Sequence, residues 1–574
     1  MSPPVLNQDI FYIVACELSR DDCPAPLVAL SMLSHAFRAM VLPLLFAHFR
    51  LEWPHEWLDP LPPKWVDYGT NAYCAHYVPR HIDQLVSALP HMSLTHFTLN
   101  FPFAPPLPLL SALFLSPTLH TLVFEDTPLD CTMPAHTRGG LRSLTLVAVG
   151  EALRVGDGKL DARIADAMYW VRGWKRCYRP HHILFEARAA AALLVPHAPR
   201  LRMLQLSGDL CAIARLAACY WPELRELILT GHVPEDDGTP FAAVLARMPV
   251  VEDVRLLLSK TQDRLLRIFS TTSTLSVATS FTSADPPYQY GYRFPYPYPY
   301  PYPHTYTSSF SPFAPIVGDY ALPKTLTHLA VSTACDLTDV LPAAAAQARH
   351  LRALAVVSII DFPRVPIALA LGEAMRLVQD VSGRGRGRSR GSVDGGGGIR
   401  HLRLMIEDKL SPEFCAFIAQ RMPELEVLEL ELCGYHDGKT IFEWNEFADA
   451  LEPLRHLAAL RICIPFPEYD DVPLDGCVGQ EITRGPWWTV RKDCAQYLAG
   501  RLDSLRRVGL EFRERTGTHK YQDSWLEFEV RREADVEDSM VWEREWVKEG
   551  NGVKLIPLPL SWYVFPNVWE TTWR

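Results

Sequence analysis

A short phrase recurs along this chain: an apolar residue, two variable residues, a second apolar residue, one variable residue and a third apolar residue. It reads Leu94/Phe97/Leu99, Leu119/Leu122/Phe124, Leu141/Leu144/Leu146, Leu201/Leu204/Leu206, Leu224/Leu227/Leu229, Val251/Val254/Leu256, Leu326/Leu329/Val331, Leu351/Leu354/Val356, Ile399/Leu402/Leu404, Leu425/Leu428/Leu430, Leu457/Leu460/Ile462 and Leu505/Val508/Leu510. The closest copies lie roughly 22–27 residues apart, a spacing at which one supersecondary unit repeats. No single unit can bury its own apolar side, so the units have to stack.

Within a phrase, the alternation of Leu204 and Leu206 with Met203, Gln205 and Ser207 has the period of a half-buried strand. Helical stretches precede most phrases: Phe185–Leu194, Cys211–Cys219, Phe241–Met248, Leu341–Ala348, Phe414–Arg421, Phe447–Leu451 and Cys494–Leu502. Several stop at a proline just before the phrase, as in Trp221-Pro222-Glu223-Leu224 and Met422-Pro423-Glu424-Leu425, because proline cannot continue a helix. Helix, stop and strand in constant order predict parallel strands with helices on one side. The expected fold class is therefore α/β, a leucine-rich-repeat solenoid of horseshoe form over residues 94–512. The long intervals between Leu141 and Leu201, Val251 and Leu326, Leu351 and Ile399, and Leu457 and Leu505 each hold either a degenerate repeat or an inserted loop.

Two insertions stand out, near 270–323 and 382–398. The first centres on the alternating Tyr-Pro run Phe294–Pro303, which blocks helix and sheet and favours an extended chain. The second alternates Arg and Gly and ends in four glycines, Gly395–Gly398. The second cannot bury enough surface to offset its chain entropy, and both insertions are expected to be disordered. Residues 513–574 are dense in tryptophan and charge. The alternation over Trp525–Val530 predicts a strand there, in a C-terminal cap that covers the open end of the repeats.

The formal charge of −10 on 574 residues gives no basic footprint for nucleic acid, and no nucleic-acid partner is expected. No uninterrupted apolar run is long enough for a membrane span, so none is expected. The thirteen cysteines form no Cys-x-x-Cys pair, and no basic-then-apolar leader follows Met1. Reduced thiols in a cytoplasmic or nuclear protein are the expectation. Cys74, His76 and His81 lack a fourth ligand for a structural zinc, as do Cys177, His181 and His182. Gly156-Asp157-Gly158-Lys159 fails the phosphate-loop spacing, since Val155 and Leu160 stand where a glycine and a hydroxyl are needed. No catalytic residue, metal or cofactor is assigned.

Residues 1–50 break the repeat. Ile10, Val14 and Leu18 set out one amphipathic helix, and Leu27, Leu30, Leu33, Phe37 and Val41 a second. This short all-α module resembles an F-box, the adaptor-binding motif of cullin–RING ubiquitin ligases. The stretch Leu6-Asn7-Gln8-Asp9-Ile10 is similar to the family's opening Leu-Pro-x-Glu-Ile. Leu27-Val28-Ala29-Leu30-Ser31-Met32-Leu33-Ser34-His35-Ala36-Phe37-Arg38 is similar to its second half. Asn7 replaces the family's proline, Asp9 its glutamate, and Phe46 its closing tryptophan. The resemblance implies that Leu6, Ile10, Val14, Leu27, Leu30, Leu33 and Phe37 grip a Skp-family adaptor, and through it a cullin. It implies equally that the repeats select a target protein for ubiquitylation by partner subunits. The competing expectation is a non-catalytic interaction scaffold whose first helices merely cap the repeats. Residues 51–93 are read as linker and N-terminal cap.

A horseshoe would present its outward strand residues on the concave face. His401, Arg403, Glu429, Glu431, Arg461, Arg507 and Glu511 are the target-binding candidates, with Glu226, Asp253 and Arg255 in earlier units. Their mixed charge suits a protein surface better than a polyanion.

Overall fold

The structure, a computed structural model, describes residues 47–52, 82–100, 105–125, 140–146, 180–234, 238–259, 265–269, 321–347, 350–357, 368–382, 398–407, 410–432, 443–464, 472–473, 486–515, 521–532, 553–557 and 561–562, with Ala29, Met32, Thr127, Leu129 and Phe466. The fold is mixed α/β, built on one open sheet. Its strands β1 (His48–Glu52), β2 (His96–Asn100), β3 (Thr121–Glu125), β4 (Ser143–Leu146), β5 (Met203–Ser207), β6 (Glu226–His232), β7 (Asp253–Ser259), β8 (His328–Ser332), β9 (Ala353–Val357), β10 (His401–Ile406), β11 (Val427–Leu432) and β12 (Ala459–Ile462) pair in chain order, each parallel to the next. β13 (Val472–Pro473) pairs with the end of β14 (Arg507–Arg515), whose start pairs with β12. The direction then reverses. β15 (Tyr521–Arg532) runs antiparallel to β14, and β16 (Val553–Pro557) and β17 (Ser561–Trp562) run antiparallel to β15.

Every phrase occupies the same place in this sheet. Leu204 stands opposite Leu227, Leu227 opposite Val254, and Val254 opposite Leu329. The row continues through Leu354, Leu402, Leu428 and Leu460 to Val508 and Phe528. All of these are buried, as are the first and third apolar positions of each phrase. Burying one such side chain stabilises by about 1.5–3 kcal/mol, and each unit contributes three. Between the first and second apolar positions, one carbonyl accepts two successive N–H groups of the next unit. The Arg202 carbonyl accepts from Arg225 and Glu226 at 2.8 and 3.0 Å, and the Glu252 carbonyl from Thr327 and His328, both at 2.9 Å.

That second example decides what the long intervals are. β4 meets β5 directly, β7 meets β8, β9 meets β10, and β12 meets β14. The intervals are therefore insertions in the chain that add no strand between neighbouring phrases. The expected disorder near 270–323 and 382–398 falls outside the described residues, apart from residues 321–323, 382 and 398.

The helices α1 (Leu107–Leu115), α2 (Pro180–His197), α3 (Ile213–Ala218), α4 (Phe241–Leu245), α5 (Leu337–Ala346), α6 (Leu371–Val381), α7 (Pro412–Arg421), α8 (Trp444–Leu451) and α9 (Pro486–Arg501) precede or join the strands. Sequence neighbours pack together, α3 on α4 and α5 through α9 in succession. Their apolar faces and the leucine face of the sheet form one continuous core. Trp221 fills it between α3 and β6, its indole N–H donating to the Leu216 carbonyl at 3.1 Å. α7 starts where Ser411 Oγ accepts the Phe414 N–H at 3.3 Å, with Pro412 as the first helical residue.

The sheet begins earlier than Leu94. β1 pairs in full register with β2, and the Phe49 ring stacks on Phe97 at 5.4 Å. Phe46/Phe49/Leu51 is the phrase with phenylalanine in the leucine positions. Of residues 1–46 only Ala29 and Met32 are described, each in helical conformation and exposed. Leu6, Ile10, Val14, Leu27, Leu30, Leu33 and Phe37 all lie outside the described residues. So do Cys74, His76, His81 and Cys177. Among the described residues no helix is long and apolar enough to cross a membrane. The described cysteines Cys211, Cys219, Cys335, Cys415, Cys463 and Cys494 are free thiols.

Candidate functional site

The side of the sheet away from the helices carries the outward residue of each strand. A strand fixes where these point, because alternate side chains go to opposite faces. In register, the outward row runs Ile228, Arg255, Ala330, Ala355, Arg403, Glu429, Arg461, Gly509 and Glu527. Two ionic groups sit on it, separated by a small apolar cluster of Leu257, Ala330, Ala355 and Val357.

The larger group spans β10 to β15. Glu429 is its centre, 1% exposed. His401 Nε2 donates to its Oε1 at 2.9 Å, Arg461 Nη1 lies 3.4 Å from Oε2, and Arg403 Nε lies 3.6 Å from Oε2. Burial alone would push this carboxyl up. Arg403, the His401 hydrogen bond and Arg461 more than offset that, and hold it well below the usual carboxylate range. Arg461 then reaches the other way. Its Nε donates to Glu527 Oε1 at 2.6 Å, its Nη2 contacts the same oxygen, and its guanidinium lies 5.5 Å from the centre of the Trp525 ring. Arg461 and Glu527 sit on strands separated by β14, and they meet because Gly509 stands between them in the register.

Glu431 is on the next outward position of β11. Arg403 Nη2 approaches its Oε1 to 2.6 Å, but off the directions of a hydrogen bond, and neither Glu431 oxygen accepts one. Burial first, and then the neighbouring Glu429 charge, push its carboxyl up to about 7, against the pull of Arg403 and Arg461. On β14, Glu511 Oε2 accepts the Leu432 N–H at 3.4 Å. From α9, the buried Arg491 donates to the Glu511 carbonyl at 3.3 Å, its guanidinium 4.5 Å from the centre of the Phe466 ring.

The smaller group lies on β6 to β8. Arg255 Nη2 is 2.8 Å from Asp253 Oδ2 and 2.8 Å from Glu226 Oε1. Burial pushes the His328 imidazole down. Asp253 opposes that shift, while the positive charges of His401, Arg255 and Arg352 add to it.

All seven residues read from the sequence as target-binding candidates thus gather on one stretch of one face. Arg403, Glu429, Glu431 and Arg461 are buried within it. His401, Arg507 and Glu511 are partly exposed. The sequence reading missed Glu527 and Arg491. Glu527 was legible as the outward residue of the alternating Trp525–Val530 strand, while Arg491 comes from a helix and carried no such signal. The cysteines nearby are poor nucleophiles, since burial pushes Cys335 up to about 12 and raises Cys415, Cys463 and Cys494 as well. Among the described residues no group of His, Cys, Asp and Glu is arranged to hold a metal ion. No protein-family model matches the sequence, and no curated protein matches it significantly.

Proposed function

We propose that this chain is the substrate-recognition subunit of an SCF-type cullin–RING ubiquitin ligase, acting in the cytoplasm or nucleus. Residues 1–50 bind a Skp-family adaptor through Leu6, Ile10, Val14, Leu27, Leu30, Leu33 and Phe37. A leucine-rich-repeat solenoid holds the target protein. The shared register of the phrases, with helices on one face and a polar row on the other, is the observation that carries the proposal. A stacked repeat of this kind supports an extended binding face. The F-box part rests on the residues of the N-terminal stretch alone.

In this role the chain performs no chemistry. It raises the effective concentration of a target lysine near the transfer site of its partners. Arg403, Glu429, Glu431 and Arg461 hold the face rigid from within, and His401, Arg507 and Glu511 meet the target at its surface. Co-purification of the full chain with a Skp-family adaptor tests the proposal. The chain retains the adaptor, and replacing Leu27 and Leu30 by Asp releases it without altering the unfolding of the repeats. If the unaltered chain captures no adaptor, it is instead an interaction scaffold with no ligase connection.

A further inference from the structure

The group around Glu429 holds more buried carboxylates than buried guanidiniums to match them. Glu429, Glu431 and Glu527 share Arg403 and Arg461, and all five side chains are at most 4% exposed. Glu429 and Glu527 take the directed bonds. Arg461 donates to both, and His401 donates to Glu429. Glu431 has the misaligned approach of Arg403, which it shares with Glu429, and among the described residues neither of its oxygens accepts an aligned hydrogen bond.

Among the described residues, its surroundings offer no further cation. Arg403 and Met405 face it from β10, Arg461 and Cys463 from β12, and Glu511 lies beyond Cys463 on β14. Cys463 is a neutral thiol whose own ionisation is opposed by burial, Glu511 and Glu431. Arg491 donates to the Glu511 carbonyl and lies against the Phe466 ring. A buried carboxylate whose one close guanidinium also serves Glu429 keeps an incompletely matched charge when ionised, and lowers its energy by taking up a proton.

We propose that Glu431 is held as a neutral carboxylic acid inside the folded sheet, so that opening the β10–β15 end releases its proton to solvent and becomes easier as pH rises toward neutrality. The sign follows from the two states. In the open chain the carboxyl ionises at its ordinary 4.5, and in the closed sheet at about 7. Stability from this group is complete below the first value and lost as pH rises through the second. Between the two, one proton leaves on opening, and the opening constant grows about tenfold per pH unit. Above the second value the dependence levels off. The device biases how readily the outward face rearranges, whatever binds there.

Amide hydrogen exchange of β11 in the full chain reads the opening constant directly. After correction for intrinsic exchange, it should rise about tenfold per unit from pH 5 to pH 7 and then flatten. Glu431→Gln, which keeps the shape and removes the proton, should abolish that slope, while Glu373→Gln, an exposed carboxylate on α6, keeps it. An unchanged slope in Glu431→Gln overturns the proposal. Should that variant fail to fold, infrared spectroscopy of the unaltered chain decides. A carboxylic-acid carbonyl band that disappears as pH crosses neutrality supports a neutral Glu431, and the absence of such a band overturns it.

Discussion

A methyl group placed on Gly509 would meet Arg461 Cγ at 2.9 Å and Glu527 Cγ at 3.4 Å. The glycine is there for space, since two side chains from strands on either side close over it. Gly509→Val should therefore force the ion pair apart and cost about 1–3 kcal/mol in urea unfolding. Removing one partner is harsher, because a buried charge is then left unmatched. Arg461→Met should cost about 3–5 kcal/mol, and the double change with Glu527→Met should recover part of that loss in a double-mutant cycle. Glu429 gives the opposite pH signature to Glu431. Its folded carboxyl is held below the ordinary 4.5, so its contribution is present above that value and lost as pH falls below it. Glu429→Gln should flatten the acid limb of a thermal unfolding profile; an unchanged acid limb would show that the carboxylate is not held by Arg403, His401 and Arg461. The charges of this face were legible from strand alternation, but their pairing was not. Which carboxylate takes the directed bonds depends on side-chain geometry across several strands, and a one-dimensional pattern carries none of that.

At the scale of elements, the phrase predicted strand positions well because its three apolar residues have one stereochemical solution. The first ends the turn, and the next two point into the core. Where phenylalanine stands for leucine, at Phe49 of β1, the same element escaped notice. Helix positions followed from proline stops, although α9 begins at Pro486, well before the expected Cys494. The reversal into β15 left no mark in the phrase, since an antiparallel partner obeys the same alternation as a parallel one. Leu428 and Ser411 test this level separately. Leu428→Ala empties a fully buried position and should cost about 2–5 kcal/mol by denaturant unfolding. Ser411→Ala removes only the cap of α7 and should cost about 1 kcal/mol. Equal losses at the two would mean that the leucine row is not a packed core.

At the scale of the molecule, the described residues build an open sheet whose neighbours in space are successive phrases in sequence, even where the chain between them is long. The interval from Val251 to Leu326 is the strongest case, since β7 and β8 share a register across it and the Glu252 carbonyl accepts both Thr327 and His328. From the sequence, a hidden repeat and an inserted loop were equally compatible with that interval, because spacing counts residues and not strands. Replacing residues 271–319 by a flexible Gly-Ser linker of about twenty residues, and measuring amide exchange across β7 and β8, puts this to the test. Protection of both strands should equal that of the full chain, because the insertion contributes no strand between them. Loss of protection at Val254, Leu256, Leu329 and Val331 would mean that the removed segment was part of the stack, and that the phrases do not form one continuous spine.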